Sequence, residues 1–152
     1  MVTMCVPNVF PTIKNRGIRA QANMTVACGL PYAAHDSKAY DAASDIEYRG
    51  EHISVKAYHF TLMAGTLCEG KTTIDDIWEV YARATHSNRF AYVLGETAYI
   101  MNIAEFEKFV KLFCEIEKAS PNEDRQHTGS VKVRAKRCEC NMKKWFEAQI
   151  TY

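Results

Sequence analysis

Nowhere do the 152 residues hold a run of about 18 apolar side chains. The N-terminal MVTMCVPNVFPTIKNRG also lacks a cationic stretch followed by an apolar one and a small-residue cleavage site. Neither a membrane span nor a secretory leader is expected, so the sequence reads as a soluble cytoplasmic chain without a membrane partner. Low-complexity segments and internal repeats are missing too, which excludes fibrous and solenoid classes. Six cysteines are scattered without the spacing of a disulfide framework. Cys138-Glu139-Cys140 has no second pair nearby to complete a tetrahedral zinc site. Charge of one sign is not in excess, since the formal net charge is +1.

What is present is an ordinary globular composition, 47% hydrophobic and 24% charged, in a length that fits one domain, residues 1–152. Apolar or small residues at Ile18, Ala22 and Val26, with Gly29 placed to end the pattern and Pro31 behind it, predict a helix over 15–28. Alternation on both sides of Arg49-Gly50 predicts a hairpin, about 40–48 with 52–58. Thr72 or Thr73 can cap a helix that presents Ile74, Ile77, Trp78 and Tyr81 and runs to about Thr85. Arg89 to Leu94 and Thr97 to Met101, joined by Gly95-Glu96, predict a second hairpin. A helix capped by Asn102 follows, with Ile103, Phe106, Phe109, Val110 and Phe113 on one side. A strand over 131–135 and a helix over 141–150 complete the order α-β-β-α-β-β-α-β-α. Such alternation favours an α/β fold, a central mixed β-sheet flanked by helices.

The first hairpin carries an unusual row. With Arg49-Gly50 as a two-residue turn, Glu47 pairs with His52, Ile46 with Ile53 and Asp45 with Ser54. Ile46, Tyr48, Ile53 and Val55 then share the face turned to the core. Asp45, Glu47, His52, Ser54 and Lys56 share the other. An antiparallel hairpin with one wet side accounts for such alternation by itself.

A helix, a hairpin with Asp45 on one strand and Ser54-Val55-Lys56 on the next, a crossover helix and a further strand together resemble the PD-(D/E)XK nuclease superfamily. The resemblance spans about residues 15–101 in element order. It implies a restriction-endonuclease-like fold, DNA as partner and Mg²⁺-dependent phosphodiester hydrolysis. In that chemistry hard oxygen ligands hold the metal, the metal activates water, and a lysine steadies or deprotonates it. Carried over, the resemblance makes Asp45, Glu47, Ser54, Lys56 and Gln21 the catalytic set, with Gln21 on the preceding helix. Asp45, Glu47 and the Val55 carbonyl would hold the metal. Ser54 stands where the family has an acid, and Ser44 where it has proline. Two readings follow: a metal-dependent endonuclease of a mobile element or phage, or a silent binding or anti-defence protein that engages a protein or nucleoprotein partner.

Two further stretches bear on ligands. Val131 to Lys144 concentrates Lys132, Arg134, Lys136, Arg137, Lys143 and Lys144 against Glu139, the pattern of a phosphate-gripping surface or of a solvated face. Gly65 to Thr72, GTLCEGKT, satisfies the phosphate-loop pattern. No strand ending in Asp follows it, and no uniform β-branched run precedes it. Lys71 and Thr72 remain candidates for contact with a DNA phosphate at the start of the second helix. His59 and His86 read more simply as a strand-end hydrogen bond and a helix C-terminal cap.

Overall fold

A computed structural model describes residues 1–32, 46–57, 59–63, 73–116, 130–135 and 139–150, with backbone alone at His59, Thr61, Met63 and 130–135. The described elements run β1 (Val2–Cys5), α1 (Arg16–Ala27), β2 (Ile46–Tyr48), β3 (Glu51–Lys56), β4 (His59–Met63), α2 (Ile74–Ala84), β5 (Arg89–Leu94), β6 (Thr97–Met101), α3 (Ile103–Phe113), β7 (Cys114–Ile116), β8 (Ser130–Ala135) and α4 (Glu139–Gln149).

Local chemistry sets most of the boundaries. Asn15 accepts from the Ile18 amide at 3.0 Å and starts α1, while Gly29 behind it has φ +76°, open to glycine without steric cost. Thr73 caps α2 through the Asp76 amide. Asn102 and Glu105 form a reciprocal capping box on α3. Arg49 and Gly50 have φ of 51° and 78°, the geometry of a two-residue hairpin turn whose twist matches its strands.

Five strands form a mixed sheet in the order β1-β6-β5-β3-β2, in which β3 and β5 alone run parallel. The α/β expectation of a mixed sheet with helices on its faces therefore holds. The route from β3 to β5 passes through β4 and α2. Asn88 pins the start of that parallel pair: its side chain accepts from the His52 amide at 2.9 Å, and its own amide donates to the His52 carbonyl at 3.0 Å. A second sheet runs β4-β8-β7; its β8 matches the strand predicted over 131–135, whereas β1, β4 and β7 lie outside the predicted order.

Each face of the main sheet has its own core. Under α1, Met24 and Cys28 pack on Ile46, Ile53, Ala91 and Ala98, where two alanines in the middle of the sheet leave room for the helix. On the other face Phe90, Tyr92, Tyr99 and Met101 meet Ile77, Trp78 and Tyr81 of α2, Phe106 and Phe109 of α3, Phe60 of β4 and Phe146 of α4. Rings stack closely there, Phe90 on Phe106 at 4.4 Å and Tyr99 on Phe146 at 4.1 Å between centroids. Among the described residues no helix is long and apolar enough to cross a membrane.

Candidate functional site

The first hairpin keeps the expected register, Ile46 opposite Ile53, Glu47 opposite His52 and Tyr48 opposite Glu51. Its polar row does not form one wet surface, and this corrects the sequence reading. The Glu47 and His52 side chains are 79% and 47% exposed and lie 3.7 Å apart. Ser54 and Lys56 are buried, at 8% and 7% exposure. The reason is position in the sheet. In its second half β3 is flanked by β5, so Ser54 neighbours Phe90 and Lys56 neighbours Tyr92. That half is roofed by α2 and β4, and the Lys56 ammonium sits 5.8 Å from the Phe60 ring centre and 6.0 Å from that of Tyr81. A lysine stem can pack as hydrocarbon while its head meets ring faces.

The remaining predicted residues are dispersed. Gln21 is half-buried on α1, the helix that covers the Ile46 and Ile53 face, so it is not brought to the Ser54 and Lys56 side. Val55 packs partly buried on that α1 side. Asp45, Lys71, Thr72, Lys136 and Arg137 lie outside the described residues, as does all of 65–72. For Lys132 and Arg134 only the strand is described, with Lys132 opposite Thr61 and Arg134 opposite His59. Lys143 and Lys144 are exposed on α4.

Magnesium asks for several hard oxygen ligands. Among the described residues the hairpin supplies two carboxylates, Glu47, well exposed and turned to His52, and Glu51, opposite Tyr48 and paired with Arg89 at 3.1 Å, together with the neutral Ser54 hydroxyl and strand carbonyls. Those donors do not make a magnesium cage. No group of three or more His, Cys, Asp or Glu side chains suited to a metal ion occurs among the described residues.

A different feature emerges where β3 and β5 end. A cleft of about 320 Å³ opens there between the first two turns of α1, the Gly95-Glu96 turn and the start of α4. Crevices outside the carboxyl ends of parallel strands are the usual ligand sites of α/β sheets. Arg16, Arg19, Ala20 and Asn23 form one stripe of α1 along it. Asn23 organises the opposite lip: its side-chain oxygen accepts from the Val9 and Phe10 amides at 3.1 and 3.2 Å, and its amide group donates to Asn8 at 3.0 Å. The Asn8 amide donates to the Glu96 carboxylate at 3.2 Å. Arg19 donates to the Ile13 carbonyl at 3.3 Å, and Arg16 lies 3.9 Å from Glu139.

The sequence reading missed this cleft. One local signal was available: α1 has no acid in its first turn but two arginines, where the helix dipole disfavours cations. Searches against protein-family models, characterised proteins and solved structures return no match.

Proposed function

We propose that this chain is a nucleic-acid-binding protein with a nuclease-like core that does not cut through its first hairpin. The observation that carries the reading is the burial of Ser54 and Lys56. At the positions where the resemblance needs an acid and a water-directing lysine, the chain has a neutral hydroxyl and an ammonium packed beside Phe60 and Tyr81. Phosphodiester hydrolysis needs those groups beside water and a metal. The order of α1, hairpin, α2 and parallel β5 supports the nuclease-like shape.

Binding is assigned to the basic segment that enters α4. Arg134 pairs with His59, three residues beyond Lys56, and the chain then leads into α4, where Lys143 and Lys144 are exposed. Phosphate contacts made by such residues release counterions, so affinity falls steeply with salt. Fluorescence anisotropy with a labelled duplex, measured across salt, tests this. A Lys143→Glu, Lys144→Glu variant should bind about tenfold or more weakly, with a salt slope smaller by about 2. An unchanged affinity and slope would remove α4 from the interface, and absence of binding by the unmodified protein would sink the reading.

One observation favours a protein partner instead, as in an inhibitor used in phage or plasmid conflict. β1 is an outer strand of the main sheet with no charged side chain, and Val2 is 60% exposed. Uncharged edges of this kind accept an added strand. Val2→Lys would then abolish capture of the partner while leaving duplex binding intact.

A further inference from the structure

We infer that the cleft at the ends of β3 and β5 is a pocket for a ribose 5′-phosphate group, a site that adjoins α4 at Glu139 and does not rest on the duplex binding proposed above. Three features converge on this chemistry. First, Arg16 and Arg19 occupy the first turn of α1, where the dipole works against them. An anion seated there would meet both guanidinium groups and the helix N-terminus together, which turns an unfavourable placement into a favourable one. The Glu139 carboxylate lies 3.9 Å from Arg16 on a side chain 57% exposed, so an anion bound to Arg16 would compete with it.

Second, the far end of the cleft has the opposite character. Glu96 is held toward it through the Asn8 amide, and Asn8 is held by Asn23. A second phosphate would be repelled there. Neighbouring hydroxyls would be favoured, since a carboxylate accepts from a ribose diol, as it does in dinucleotide-binding folds. Third, the dimensions agree. From Arg16 to Asn23 is seven residues of helix, about 10 Å of rise, and side chains that reach inward shorten that span toward the length of a ribose phosphate. A volume of about 320 Å³ lies at the small end of the range for small-molecule sites.

The probes are adenosine 5′-monophosphate, its 2′-deoxy form, adenosine and inorganic phosphate, each titrated calorimetrically into the full chain. The monophosphate should bind, adenosine should be about tenfold or more weaker, and the 2′-deoxy form weaker than its ribose parent by about tenfold. Arg19→Met should lose most of the affinity. Arg16→Met, on a side chain 61% exposed, repeats the test where folding is not at stake. Glu139→Gln should tighten binding several-fold by removing a competing carboxylate. Glu96→Gln should erase the preference for ribose over deoxyribose while phosphate-dependent affinity remains.

A short RNA with or without a 5′-phosphate separates the two sources of the group. A phosphate-dependent gain that exceeds the mononucleotide's and vanishes in Arg16→Met identifies an RNA end, and equality with the mononucleotide identifies the free nucleotide. The inference is overturned if no probe binds at millimolar concentration to folded protein. It is also overturned if binding is indifferent to both arginine substitutions. Because none of these readouts uses duplex DNA, failure of the pocket leaves the duplex result standing, and the reverse.

Discussion

Replacing Phe106 by alanine tests whether the aromatic face that covers Ser54 and Lys56 is a true core. Phe106 is fully buried and meets Phe90, Trp78, Phe60, Tyr81 and Phe109, with the Phe90 ring stacked at 4.4 Å and 7°. Truncation removes about 150 Å² of buried apolar surface, about 4 kcal/mol at roughly 25 cal/mol per Å². The lost stacking adds about 1 kcal/mol and partial collapse of the cavity returns some of it, so a net cost of about 3–5 kcal/mol is expected. For a chain of this length that corresponds to a fall in Tm of roughly 10 °C or more. Leu112, on the same helix but 38% exposed, is the control, and Leu112→Ala should cost under about 1 kcal/mol. Urea unfolding of both variants, followed by tryptophan fluorescence, gives the two values. A cost below about 1.5 kcal/mol for Phe106→Ala, or equal costs for the pair, would refute the packing of α3 on this face.

Other outcomes follow from local features. Arg49 sits at positive φ, which costs a non-glycine residue about 1–2 kcal/mol. Arg49→Asn relieves much of that strain and forfeits a ring contact with Tyr48 worth about 0.5–1 kcal/mol. A net gain of about 0.5 kcal/mol in urea unfolding is expected. Asn102→Ala removes the side-chain half of the α3 capping box and leaves the backbone amide of residue 102 donating to Glu105, so it should cost about 1 kcal/mol in the same measurement. Burial pushes the Cys28 thiol above its ordinary pKa. At neutral pH, alkylation mapped by peptide mass should therefore label the exposed Cys5 and Cys140 first, and the buried Cys28 and Cys114 only on unfolding. The Tyr99 phenol is raised by burial, with the Glu147 charge adding. The unfolded chain loses that proton first, so the phenol's contribution to stability is constant at neutral pH and declines as pH climbs beyond the ordinary tyrosine value near 10. A urea midpoint that rises across that range, or a Tyr99→Phe variant with the same alkaline decline, would contradict it.

Much of the fold was legible because its signals are local. The Ile18, Ala22 and Val26 spacing, Thr73 and Asn102 announce three helices, and Arg49-Gly50 and Gly95-Glu96 announce two hairpins, within a residue or two of where the strands and helices lie. The missed strands lack such punctuation. β4 follows β3 after Ala57-Tyr58 alone, so the two read as one run, while β7 continues from the last turn of α3 with no breaker between Phe113 and Cys114. Their pairing with β8 spans some twenty to seventy residues of chain, and no local pattern reports it. The site divides in the same way. The register of the polar row followed from turn length, whereas its burial depends on where α2 and β4 come to lie. Alternation alone cannot distinguish a wet face from a roofed one. The cleft was hidden for a related reason: Arg16 and Arg19 come to line one cleft with Glu96 only once β1 and β6 pair and bring Asn8 across to Asn23.

The most direct test of a chain that binds nucleic acid without cutting it through its first hairpin is a plasmid assay in Mg²⁺ or Mn²⁺ at high protein concentration, with retardation and strand breakage read from the same gel. Retarded but intact plasmid is the expected result, alike for the unmodified chain and for Lys56→Met, which keeps the buried stem and removes the ammonium. Nicked or linear plasmid from the unmodified chain that disappears in Lys56→Met would contradict the account, because it would place that lysine beside reacting water and not buried near the Phe60 and Tyr81 rings.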